Sequence, residues 1–187
     1  MGVNDIGQQL RRMVVTGTSP DGNLHATMTG ERILQIDFRP HCFDWYDEAG
    51  LERQLAGLAV STWVAWTRER REISRKDSGL SHAEAEDARR TSKDQRRLEY
   101  DEALRTIECD GVSSGHTVGI RTTGITRWHV DIADGTLLRL DLHQFTAELQ
   151  SAVQSLLRDR DAKIAVLKAE HFEIGMPRSW RARAEGR

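Results

Sequence analysis

The amino-acid sequence predicts an α+β fold made of two tandem units, each a three-stranded antiparallel sheet followed by a long helix. Three observations carry this. Residues 13–66 superimpose without a gap on residues 107–160. Within each copy the apolar period changes from two to helical spacing. Between the copies lies a connector, residues 67–106, in which 21 of 40 positions are charged.

The repeat rests on matched apolar positions and glycines, because strict identities number only 8 in 54. Val15 falls on Cys109, Gly17 on Gly111, Leu24 on Val118, Ala26 on Ile120 and Gly30 on Gly124. Leu34, Ile36 and Phe38 fall on Trp128, Val130 and Ile132, and Asp37 falls on Asp131. Repetition on this scale governs the architecture and is read before any motif.

Val15, Gly17 and Ser19 alternate up to Pro20-Asp21-Gly22-Asn23, a dense turn signal. Leu24, Ala26 and Met28 alternate again, Gly30 punctuates, and Leu34, Ile36 and Phe38 form a third run. Alternation puts one set of side chains on one sheet face and leaves the other polar. After Pro40, Leu51, Leu55, Leu58, Thr62 and Trp66 recur at helical spacing, as do Phe145, Leu149, Val153 and Leu156 in the second copy. Each sheet is thus expected to be covered by its own amphipathic helix. A unit of about sixty residues buries little core alone, so the two copies are expected to pair.

A helix is expected before each sheet. Asp5 to Met13 allows two or three turns; Ser81-His82-Ala83-Glu84 has capping-box spacing and opens residues 83–106, which contain no Gly or Pro. The expected boundaries are a first unit at 1–73, a linker at 74–80, a second unit at 81–172 and a basic tail at 173–187.

Composition narrows the functional class. The chain has 187 residues, 38% hydrophobic and 30% charged, with 27 Lys and Arg against 29 Asp and Glu. A net charge of −2 excludes a histone-like basic protein. No run of eighteen apolar residues occurs, so no membrane partner is expected. Met1 to Ile6 lacks a basic segment leading into an apolar one, so no classical secretory signal is expected. The two cysteines, Cys42 and Cys109, are too few for a disulfide framework. Cys109 aligns with Val15 and reads as a buried strand residue, while His129 aligns with Gln35 and reads as out-facing. No paired zinc-ligand spacing, GxSxG elbow or phosphate-cradling loop occurs. The expectation is therefore a protein without enzymatic activity, metal or cofactor.

Thr16-Gly17-Thr18-Ser19-Pro20-Asp21-Gly22, then Gly30, then Leu34-Gln35-Ile36-Asp37-Phe38-Arg39-Pro40 resembles the YbaB/EbfC family of bacterial nucleoid-associated proteins. In that family an apolar-x-apolar-x-apolar-x-Pro strand leads into the last helix. The resemblance covers about 13–66, and extends to about 84–170 through the repeat. The second copy departs from the pattern: it lacks the Ser-Pro-Asp-Gly turn and has Asp134 where Pro40 falls. The resemblance implies two fused protomers, a monomeric pseudo-dimer or a homodimer of it, binding double-stranded DNA with little sequence preference in the cytoplasm at the nucleoid. Similar folds among actinobacterial proteins associated with type VII (ESX) secretion imply an alternative, a protein-interaction or chaperone module.

Two sets of residues follow. Arg68, Arg70, Arg71, Arg75 and Lys76, extended by Arg89, Arg90, Arg96 and Arg97, can neutralise phosphates and release counterions. Glu69, Glu72, Glu84, Glu86 and Asp87 dilute that field, so a solvated helix face is the other reading. Phe43, Trp45, Tyr46, Trp63 and Trp66 form an aromatic excess, read either as packing between the copies or as a patch that captures a partner protein. In the tail, Trp180 among Arg178, Arg181 and Arg183 suits base stacking or a disordered terminus.

Overall fold

The first hairpin forms because its chain alternates. Strand β1 (Val14–Thr18) buries Val15 and leaves Val14, Thr16 and Thr18 exposed, and β2 (Leu24–Thr29) buries Leu24, Ala26 and Met28. Strand β3 (Leu34–Phe38) completes a meander with Ala26 opposite both Gly17 and Ile36. The protein is described here by a computed structural model covering residues 3–84, 95–124 and 126–172. Helix α1 (Val3–Arg12) precedes β1, a 3₁₀ turn spans Phe43–Trp45, and helix α2 (Glu48–Asp77) follows.

The second half has the same order: α3 (Gln95–Thr106), β4 (Glu108–Val112), β5 (Val118–Thr123), β6 (Arg127–Ile132), a single-turn α4 (Thr136–Arg139) and α5 (Leu142–His171). Both β4 and α5 begin and end 94 residues after β1 and α2, the shift that carries residue 13 onto 107. The fold is therefore α+β, with two three-stranded antiparallel sheets and a long C-terminal helix. Helix α2 ends at Asp77, so it takes up the first part of the expected 74–80 linker. The box at 81–84 forms as expected: the Ser81 N–H donates to Glu84 Oε2 (2.8 Å) and the Glu84 N–H to Ser81 Oγ (3.2 Å). Positions 85–94, Ile125 and the tail 173–187, with Trp180 and its arginines, lie outside the described residues.

Equivalent helices start equivalently. Asp47 accepts the Gly50 N–H (2.7 Å) at the N-cap of α2, and Asp141 accepts the Gln144 N–H (2.8 Å) at that of α5. Equivalent glycines let helix and strand meet. A Cβ on Gly17 would lie 2.1 Å from Thr62 Oγ1, and one on Gly111 2.4 Å from the Ala152 carbonyl oxygen. These glycines serve close approach rather than turning, since neither has a positive φ.

One core joins the halves. It contains Leu24, Ile36, Phe43, Leu51, Leu55 and Leu58 together with Cys109, Val118, Ile120, Val130, Phe145, Leu149 and Leu156. Helix α2 lies on β1 and β2 and also against β6; α5 lies on β4 and β5 and touches β3. The Phe145 ring stands 5.4 Å from Phe43 and 6.4 Å from Phe38 between centroids. Glu52 accepts the Ile132 N–H (2.8 Å), and Arg32 makes two 2.7 Å bonds to Asp161 across the halves. A second, smaller cluster belongs to the first half alone: Met13, Val15, Met28, Trp66 and Ile73, with Ile6 and Leu10 beside it.

Candidate nucleic-acid interface

The last turns of α2 carry the first basic set. Arg68, Arg70, Arg71 and Lys76 are exposed, whereas Arg75 is held: its Nε and Nη2 donate to Glu72 at 2.9 and 2.6 Å, and its Nη1 donates to the Leu80 carbonyl at 2.6 Å. The hydrogen bond from Arg75 lowers the Glu72 pKa to about 2. Lys76 approaches the same carboxylate at 3.7 Å. Arg75 and Glu72 therefore largely neutralise one another and secure the end of the helix, while among the described residues Arg68 and Arg71 have no ion-pair partner. Arg96 and Arg97 sit exposed in the first turn of α3; Arg89 and Arg90 lie outside the described residues.

Arg70 leads to residues that sequence reading missed. Its guanidinium lies 5.2 Å from the Trp66 ring centroid, on the wall of a cleft of about 500 Å³ between the halves. Arg11 from α1, Arg32 from the turn before β3, and Arg160 and Lys168 from α5 line the same cleft with Asp161. Arg160 is the unusual member. Its side chain is only 20% exposed, its Nε is buried without a partner among the described residues, and its guanidinium stacks 5.0 Å from the Trp63 ring. Burial pushes its pKa down, and the nearby Arg32 charge pushes the same way, although an arginine stays protonated throughout the accessible range. Asp161 is held below the usual carboxylate range chiefly by its hydrogen bonds from Arg32. Arg70 belongs to the basic run at 68–76, but the other four cations come from positions 11, 32, 160 and 168, so no run of charge announces the set. One signal existed: the repeat sets Arg160 on Trp66, placing a cation on an otherwise apolar stripe.

The aromatic set divides. Phe43 and Trp66 are buried, 8% and 5% exposed, and belong to the two core clusters. Trp63 stacks on Trp66 (5.1 Å) and reaches Trp128 of the second half (6.3 Å), which is the packing role between the copies. Tyr46 donates its hydroxyl to Asp21; burial and that bond push its pKa up to about 12. A continuous exposed patch of all five is therefore not formed, because core formation withdraws Phe43 and Trp66 from solvent. Trp45 stays 67% exposed.

Cys42 and Cys109 are free and buried, and burial pushes both thiols up. His129 is exposed and bonded to Asp131 at 2.9 Å. Among the described residues no group of three or more His, Cys, Asp or Glu is placed to hold a metal, and no helix is long and apolar enough to cross a membrane. No known family matches the chain, and neither does any curated protein.

Proposed function

We propose that the chain is a fused pair of YbaB/EbfC-like protomers that binds duplex DNA without sequence preference. The observation that carries this is the pair of exposed arginines, Arg68 and Arg71, at the end of α2, without an ion-pair partner among the described residues, with Arg70 between them leading into a cationic cleft. The packing of α2 against β6, with α5 touching β3 and one core shared by the halves, supports the pseudo-dimer. The net charge of −2 is not an obstacle, since backbone contact responds to the local field and these cations stand together. Arginine forks would contact phosphate oxygens, and the paired halves would set the spacing of those contacts.

A second reading, a protein-interaction or chaperone module of the type VII secretion kind, is favoured by exposed Trp45 and by Leu138, which is 92% exposed.

A gel-shift titration with an arbitrary duplex at ~50 and ~200 mM salt separates the two, because several phosphate contacts give a large affinity loss over that interval. The expected result is binding that weakens steeply with salt. In the Arg68→Ala/Arg70→Ala/Arg71→Ala variant the log–log salt slope should fall by about 2–3. No shift at micromolar protein in low salt removes the DNA reading and leaves the partner-binding one.

A further inference from the structure

We propose that the cleft between the halves is a binding site for a phosphate-bearing polyanion of pyrophosphate size or larger, gripped by Arg11, Arg32, Arg70, Arg160 and Lys168. Five cations and one carboxylate line it, a local charge of +4 in a chain whose total is −2. Like charges brought this close repel, and the half-buried Arg160 guanidinium, whose Nε has no partner among the described residues, carries a desolvation cost that the Trp63 stack and the Asp161 carboxylate at 3.9 Å offset only in part. A bound anion would supply the missing counter-charge and would accept from the guanidinium N–H groups that face the cleft.

The geometry favours phosphate over a lone carboxylate. Asp161 already occupies one fork of Arg32 through two 2.7 Å bonds but only approaches Arg160 Nη1, at 3.9 Å, so it anchors one guanidinium and leaves the other free to take an anion. Trp66 and Trp63 hold Arg70 and Arg160 by cation–π contact, at 5.2 and 5.0 Å. Planar guanidinium groups preset in this way match the oxygens of a phosphate bidentately and lose less freedom on binding. The volume of about 500 Å³ lies within the usual ligand-pocket range of roughly 300–1,000 Å³.

The site also straddles the repeat. Leu10 and Leu104, Trp66 and Arg160, and Arg70 and Ile164 are equivalent pairs, and both members of each line the cleft. The second half therefore supplies a cation where the first supplies an indole, and the first a cation where the second supplies an aliphatic side chain. A free phosphorylated compound and a nucleic-acid backbone share this chemistry, and competition distinguishes them. The inference does not depend on the DNA reading.

The experiment is calorimetric titration of the full chain with pyrophosphate at low salt. One saturable site is expected, its affinity falling as salt rises. Arg11 and Lys168 are exposed and belong to neither core, so Arg11→Ala/Lys168→Ala should keep the fold and weaken binding by about tenfold or more. Arg160→Gln should do likewise, while Arg68→Ala/Arg71→Ala, outside the cleft, should leave pyrophosphate binding unchanged. Absence of saturable heat, or equal affinity in the Arg11/Lys168 variant, overturns the site. Displacement of bound pyrophosphate by a short duplex assigns it to backbone phosphate; persistence assigns it to a free phosphorylated compound. A failed gel shift with intact pyrophosphate binding sinks the DNA reading and leaves this one standing.

Discussion

The two hairpin turns, 19–24 and 113–118, reach the same shape by different chemistry. Ser19 Oγ accepts the Leu24 N–H (2.9 Å) and Ser113 Oγ accepts the Val118 N–H (3.0 Å). Beyond that serine they diverge. Pro20 has no N–H to satisfy but carries a ring, and the facing helix position is Gly57, where a Cβ would lie 2.4 Å from the Pro20 Cγ. In the second copy Ser114 has an N–H, and the facing position is Ser151, whose Oγ accepts it at 3.1 Å. The next pair behaves similarly. In the first turn Asp21 gathers Ser19, Asn23 and Tyr46, and its own N–H donates to Gln54 (3.1 Å). In the second, Glu148, equivalent to Gln54, itself accepts from Gly115 and Thr117, both at 2.9 Å. Turn and helix face have changed together, so each turn is specified by a pair of segments and neither by its loop alone.

The largest expected effect tests whether the halves are one body. Phe145 is fully buried against Phe38 and Phe43 of the first half, so Phe145→Ala should cost about 3–5 kcal/mol. Unfolding in denaturant followed by tryptophan fluorescence and by circular dichroism should give coincident transitions. Two separated transitions would mean that the halves fold independently.

A smaller effect sharpens the turn comparison. Gly57→Ser forces a side chain against Pro20 and should cost about 1–3 kcal/mol. Adding Pro20→Ser recreates the Ser114–Ser151 arrangement and should recover most of the loss. Additive destabilisation in that double-mutant cycle would show that the two positions are not coupled.

The smallest effect is titration. The Tyr46 pKa is raised to about 12, against about 10 for a free phenol. Because the folded value is the higher one, the stability that Tyr46 and Asp21 share is complete from the pH at which Asp21 is ionised up to pH ~10, and is lost as the pH rises towards 12. In Tyr100→Phe, which leaves Tyr46 as the single tyrosine, the tyrosinate absorbance should rise with a midpoint near 12. Asp21→Asn should move that midpoint down. A midpoint at the free value before substitution would show that the bond is not made in solution.

Most of the skeleton was legible in the chain. Alternation at Val15–Ser19 and Leu24–Met28 marked strands, and Leu51, Leu55, Leu58, Thr62 and Trp66 marked the buried stripe, because burial imposes its period directly on residue order. The end of α2 was harder to read, since Ser74 to Asp77 are polar and the Arg75–Glu72 and Arg75–Leu80 contacts hold the final turn. The aromatic excess was visible, but whether it faces water was not: Phe43 is buried and Trp45, two residues on, is exposed.

Residue order by itself determined the local elements, their repetition and the glycines that let strand and helix touch, since those depend on period, volume and backbone freedom over a few neighbours. Tertiary structure alone decided that Arg11, Arg32, Arg70, Arg160 and Lys168 converge. They lie far apart along the chain, and a field of charge adds up in space, so only the packing of the two halves against one another could turn scattered cations into a single cleft.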